Sequence, residues 1–291
     1  MVRATVTAFT IFLAACSNEG AKTDDAKAPP APAIEAPSLE VIWLAEGFSA
    51  PEGVAQAPDG AYFISNVGAE ETDGDGYISR VGADGEVLAA RFIDNLDGPK
   101  GMAVDGGVLY VTDIDQVRTF DATSGAAGAA IAIPDAKYLN DATLWQRDIY
   151  VSDSGTGRIW RLAEDGPVLW REGEELSSVN GLLGDGDRLL ISTMTSGSLL
   201  EATSSGGWRT IAAGMTDADG IGIVPGAAGG GYLVSSWPGE IYLAREGGGV
   251  TSILNTRDAG ILQNDLTMFG DVVIVPNWEP GTVTAWRVVA N

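Results

Sequence analysis

A five-residue motif returns six times along this chain, and its spacing limits the possible folds more than any other feature. The copies are Ala50-Pro51-Glu52-Gly53-Val54, Gly98-Pro99-Lys100-Gly101-Met102, Tyr138-Leu139-Asn140-Asp141-Ala142, Ser178-Val179-Asn180-Gly181-Leu182, Asp217-Ala218-Asp219-Gly220-Ile221 and Leu262-Gln263-Asn264-Asp265-Leu266. Steps between their third members are 48, 40, 40, 39 and 45 residues. A fixed period in this range marks repeat architectures, in which each repeat is one supersecondary unit.

A second motif follows each copy: Tyr62-Phe63-Ile64-Ser65-Asn66, Leu109-Tyr110-Val111-Thr112-Asp113, Ile149-Tyr150-Val151-Ser152-Asp153, Leu190-Ile191-Ser192-Thr193, Tyr232-Leu233-Val234-Ser235-Ser236 and Val273-Ile274-Val275-Pro276-Asn277. Each is a short β-branched and aromatic run that ends in a small polar residue, as a strand entering a turn should. Third strands follow at Gly76–Val81, Gly157–Leu162 and Gly239–Leu243, and several lead through a Gly-containing turn into a fourth. The 39 Gly and 13 Pro are spread along the chain, and no long helical period competes with the strand pattern. Four strands in each of six repeats predict an all-β six-bladed β-propeller over residues 40–291. Glu40-Val41-Ile42-Trp43-Leu44 precedes the first repeat without partners of its own, so it is expected to supply the outer strand of the last blade. Its partner there would be the segment Thr282-Val283-Thr284-Ala285-Trp286, and the swap would close the ring without leaving an edge. Two β-sandwiches with accidental similarity are the competing architecture.

The N-terminus reads as an address. Arg3 is followed by an apolar run from Ala4 to Ala15, too short to span a bilayer but suited to a secretory signal. Leu13-Ala14-Ala15-Cys16 resembles the bacterial lipobox, in which the Cys receives lipid, and Cys16 is the chain's single Cys. The alternative is an ordinary signal with a chance Cys. Residues 1–15 are thus expected to be a lipoprotein signal peptide, and 16–39 the lipidated Cys and a Pro/Ala-rich tether that buries little apolar surface. Ser17, following the Cys, implies outer-membrane sorting, facing the periplasm. The protein is expected to be monomeric.

Charge and missing residue types exclude several chemistries. Seventeen basic against 40 acidic residues give a net charge of -23, which repels nucleic acid and anionic membranes. The chain has no His. A Ser-His-Asp or Cys-His engine and His-ligated zinc are therefore excluded.

In a propeller the innermost strands line a central channel, so the third members of the six motifs should form one ring. That ring contains Glu52, Lys100, Asn140, Asn180, Asp219 and Asn264. Three of the chain's nine Asn fall at this position. Two carboxylates and neutral amide oxygens suit calcium, which takes 6–8 oxygen ligands in a flexible cage; another divalent cation is a possible substitute. Glu52 and Asp219 balance one divalent ion, with amide oxygens from Asn140 and Asn180. A water-filled polar ring that merely satisfies strand ends is the plainer alternative. Lys100 either clamps a substrate carboxylate, weakens the metal, or forms a salt bridge to Glu52 or Asp219.

Pro51-Glu52-Gly53, Asn140-Asp141, Asn180-Gly181 and Asp219-Gly220, in this order and spacing, resemble the senescence marker protein/gluconolactonase (regucalcin-like) family. The related diisopropyl fluorophosphatases share the arrangement. The resemblance covers residues 40–291 and implies a calcium-dependent hydrolase of a small lactone or ester. In it Glu52, Asn180 and Asp219 are metal ligands, and Asn140 is a ligand or a substrate contact. Asp219 activates water or attacks directly. Lys100 departs from the family's pattern; as ring members, Lys100 and Asn264 are expected to be further substrate contacts. Two other readings share the architecture: a non-catalytic ligand-binding or scaffold propeller, and a propeller resembling strictosidine synthases without the metal set. The loops look short, with no candidate lid. Asp73-Gly74-Asp75-Gly76 reads as a tight turn, and Asp113 and Asp153 as caps on strand turns.

Overall fold

The computed structural model describes residues 35–69, 71–72 and 74–291. The proposed signal, lipidated Cys16 and most of the tether lie outside these residues, as does Asp73. Among the described residues no helix is long and apolar enough to cross a membrane.

After β1 (Ser38–Glu46), four sheets of four antiparallel strands follow in chain order. The first holds β2 (Pro51–Gln56), β3 (Tyr62–Asn66), β4 (Gly76–Val81) and β5 (Val87–Leu96). The second holds β6 (Pro99–Asp105), β7 (Val108–Asp113), β8 (Gln116–Asp121) and β9 (Ala127–Ala132). The third holds β10 (Leu139–Trp145), β11 (Asp148–Asp153), β12 (Arg158–Ala163) and β13 (Gly166–Glu172). The fourth holds β14 (Val179–Asp185), β15 (Arg188–Thr193), β16 (Ser198–Thr203) and β17 (Trp208–Ala213).

The remaining strands join into one nine-stranded sheet. One half is β18 (Ala218–Ile223), β19 (Tyr232–Ser236), β20 (Glu240–Ala244) and β21 (Val250–Asn255). The other is β22 (Leu262–Gln263), β23 (Thr267–Phe269), β24 (Val272–Glu279) and β25 (Thr282–Val289), with β1 at its outer edge. A parallel pairing of Ile221 with Thr267 connects the halves.

β1 pairs antiparallel with β25, with Trp43 opposite Ala285 and Leu44 opposite Thr284. Trp43 also donates its indole N–H to the Ala83 carbonyl at 3.0 Å, fastening the edge of the last sheet to a turn of the first. The first strand of each sheet touches the first strand of the next: β2 with β6, β6 with β10, β10 with β14, and β14 with β18. β18 meets β23, and β23 and β24 return to β2, so the contacts close on themselves around one axis.

Burial follows distance from that axis. β2 and β3 are buried on both faces, whereas outer strands such as β9 are largely exposed. An inner strand is sandwiched between two neighbouring sheets, so it needs apolar residues on both faces. This is why these runs are continuous rather than alternating. The cores accordingly lie between sheets. One packs Phe63 and Ile78 of the first sheet against Leu109 and Phe120 of the second. Another packs Trp145 and Ile159 of the third against Leu189 and Leu200 of the fourth. Burying each such side chain contributes about 1.5–3 kcal/mol.

Candidate functional site

Five of the six third-member residues occupy the same place, the second position of a first strand: Glu52, Lys100, Asn140, Asn180 and Asp219. Each stands at a bulge. In β2, Pro51 pairs with Asn66 but Val54 pairs with Ile64, so three residues advance against two. The same slip occurs between Pro99 and Met102, Leu139 and Ala142, Val179 and Leu182, and Ala218 and Ile221. A bulge leaves one residue unpaired and re-aims its side chain. Asn264 sits differently, in the break between β22 and β23, where its N–H donates to the Pro276 carbonyl at 3.0 Å.

The bulges are fastened by hydroxyls from the second strands. Ser65 accepts from the Gly53 N–H at 2.7 Å, and Thr112 donates to the Asn140 carbonyl at 2.6 Å. Ser152 does both, accepting from Asp141 N–H at 2.8 Å and donating to the Asn180 carbonyl at 2.7 Å. Ser192 likewise accepts from Gly181 N–H at 2.8 Å and donates to the Asp219 carbonyl. Thr112, Ser152 and Ser192 thus tie their own bulges to the next residue of the ring. Close approach between first strands needs glycine: a Cβ on Gly53 would lie 2.6 Å from the Lys100 carbonyl oxygen, and one on Gly101 would meet Asp141. Asp113 and Asp153 hold the entering turns as expected. Asp113 accepts from Gly98 N–H at 2.8 Å, and Asp153 from Tyr138 N–H at 3.0 Å.

All six ring residues line one cavity of about 270 Å³, and all six are buried. Burial, followed by repulsion from Asp219, pushes the Glu52 carboxyl well above the usual range, against the opposing charge of Lys100. Burial and the Asp141 charge raise Asp219 to about 7, although a hydrogen bond from Asn180 opposes this. The Asn180 Oδ1 is buried without a hydrogen-bond partner. An uncompensated buried amide oxygen costs about 1–3 kcal/mol and calls for a donor or a cation.

Two more acids lie one residue further along the chain. Asp141 accepts from the Leu182 N–H at 2.6 Å and the Ala142 N–H at 2.7 Å, yet burial still raises it to about 7. Burial and the charges of Asp141, Asp219 and Glu52 raise Asp265 well above its usual value. Both line a second cavity of about 200 Å³ among Val54, Met102, Leu182 and Leu266. Among the described residues no three Asp, Glu, His or Cys side chains are grouped to hold a metal. The oxygens that converge at the ring are instead two carboxylates with neutral amides.

Lys100 corrects the expected partners. Its ammonium pairs with Glu71 at 2.6 Å, rather than with Glu52 or Asp219, and lies 4.5 Å from the Tyr138 ring centre. Burial alone would raise the Glu71 carboxyl, but hydrogen bonds from Lys100 and the Tyr138 hydroxyl outweigh it and hold it below the usual range. Glu71 belongs to the loop between β3 and β4, so this insertion reaches the site through Lys100 and Tyr138. Within the loop, the Ala69 N–H donates to Asp75 at 2.9 Å and Gly74 has a left-handed φ of 79°, consistent with a turn.

The remaining cavity wall is Tyr138, Met194, Trp237 and Trp278, none of them among the sequence-derived site residues. A signal for three of them was present. Met194, Trp237 and Trp278 each follow directly after the polar residue that closes the second motif, Thr193, Ser236 and Asn277. The second motif, extended by one position, therefore marks a second layer above the ring.

No family model matches the chain, and no curated protein matches it. Solved structures do. A candidate gluconolactonase superposes with a TM-score of 0.64 at 17% identity, covering 87% of this chain and 93% of that one. Selenomethionine-substituted virginiamycin B lyase from Staphylococcus aureus gives 0.62 at 13%, covering 85% and 99%. The PQQ-bound aldose sugar dehydrogenase from Streptomyces coelicolor gives 0.61 at 16%, covering 88% and 100%. At these identities the likeness is one of fold: the chain is a β-propeller.

Proposed function

We propose that the protein is a six-bladed propeller whose channel-mouth ring holds one calcium ion and hydrolyses a small lactone or ester. The count of six takes the two halves of the nine-stranded sheet as separate blades, since a single parallel residue pair joins them. The observation that carries the reading is the ring itself. Two buried carboxylates with raised pKa values and an unpartnered Asn180 oxygen face one cavity, a donor set that suits a hard divalent cation. Glu52, Asn140, Asn180 and Asp219 would hold the ion, with Asn264 facing the substrate. The pairing of Lys100 with Glu71 keeps the ammonium from opposing the ion.

Calcium, when bound, supplies a Lewis acid that polarises the scissile carbonyl. Asp219, held ionised beside the ion, takes a proton from the attacking water as general base. As the ester C–O bond breaks, the same carboxyl returns that proton to the departing alkoxide. The product is a hydroxy acid. We further propose that Cys16 carries the lipid and that the domain works as a monomer at the outer membrane, facing the periplasm.

A lactone and ester screen with and without calcium, repeated with Asp219→Asn, tests the reading. The wild type should turn over at least one substrate only with calcium, and the variant should lose about 10²-fold or more. Full activity in the variant, or no turnover of any substrate, contradicts it. Binding without turnover would instead point to a ligand-binding propeller.

A further inference from the structure

Resting on that hydrolase reading, we infer that the substrate is an uncharged lactone or ester with an apolar ring or chain, not a polyhydroxylated sugar lactone. The second layer above the ring is uneven. On one side the wall is Met194, Trp237 and Trp278, from the same repeats as Asn180, Asp219 and Asn264, with the two indoles edge to face at 5.9 Å. The corresponding positions in the first three sheets hold Val67, Ile114 and Ser154, which are not part of the cavity wall.

The opposite wall carries polar groups, but they satisfy one another. Glu71 receives the Lys100 ammonium at 2.6 Å and the Tyr138 hydroxyl at 2.7 Å. A sugar hydroxyl set against the two indoles would lose its water partners without replacement. An apolar substituent gains by leaving water there. Charge points the same way. The one ammonium of the ring is paired with Glu71, so no cationic side chain of the ring remains to clamp a substrate carboxylate. The cavity of about 270 Å³ suits a bicyclic or short-chain molecule.

The test compares hydrolysis of dihydrocoumarin and glucono-1,5-lactone by the calcium-loaded protein. In parallel, titration calorimetry follows binding of 3,4-dihydroquinolin-2-one, the unreactive lactam counterpart of the first. Dihydrocoumarin should be preferred in kcat/KM by about tenfold or more. The lactam should bind, and Trp237→Ala and Trp278→Ala should each weaken it about tenfold with calcium stoichiometry unchanged. Better turnover of the sugar lactone, no lactam binding, or unaltered binding in both variants overturns the inference. If the lactam binds as expected but neither lactone is hydrolysed, the hydrolase reading fails while the apolar pocket stands.

Discussion

The Lys100 ammonium lies 2.6 Å from the Glu71 carboxylate, joining a ring residue to a loop that has no counterpart in the other repeats. The pair is unequal, since the lysine side chain is 4% exposed and the glutamate 31%. The lysine is therefore the partner that depends on the contact.

Glu71→Gln should leave a buried ammonium beside Glu52 and Asp219. Removing one partner of such a pair costs about 3 kcal/mol. Calcium affinity should fall as well, because the freed charge turns toward the ring. Adding Lys100→Met should recover most of the stability in denaturant unfolding. Calcium titration of Glu71→Gln that matches the wild type would show that the pair does not keep Lys100 off the ion.

Ser152→Ala removes the hydroxyl between the Asp141 N–H and the Asn180 carbonyl. Two buried backbone groups then lose a partner, at a cost of about 1–3 kcal/mol each at most. The expected outcome is a lower melting temperature and weaker calcium binding, since Asn180 is set in place through its backbone. A variant that melts lower but binds calcium normally would limit this serine to a structural role.

Stability of the metal-free protein should fall as pH rises from about 4 to about 7. The ordinary Asp pKa is about 3.9, whereas Asp141 and Asp219 are raised to about 7 and Glu52 and Asp265 are also raised. Within that window the folded state holds protons the unfolded chain has released, so stability decreases with pH. Below it these groups no longer penalise folding. Calcium should offset the loss at the upper end. Thermal melts across this range with chelator and with calcium check both signs.

Much of this was legible from the chain. The ring could be read because the repeat places Glu52, Lys100, Asn140, Asn180 and Asp219 at one step of successive first strands, and alignment of a repeat carries spatial meaning. The edge role of Glu40–Leu44 followed from its lack of a partner within its own repeat. Glu71 escaped because it lies in an insertion, where no register relates it to Lys100. Trp237 and Trp278 escaped for another reason. They follow Ser236 and Asn277, which close the second motif, and the motif was read no further than its closing polar residue. Asp141 and Asp265 were visible as Asn-Asp pairs, but their burial depends on how neighbouring first strands approach.

Calcium stoichiometry of the purified protein tests the central claim most directly. After dialysis against metal-free buffer, titration at neutral pH should find one ion per chain, and chelation of the loaded protein should lower its melting temperature. Absence of binding, with the same melting temperature before and after chelation, would contradict a calcium ring at Glu52, Asn140, Asn180 and Asp219.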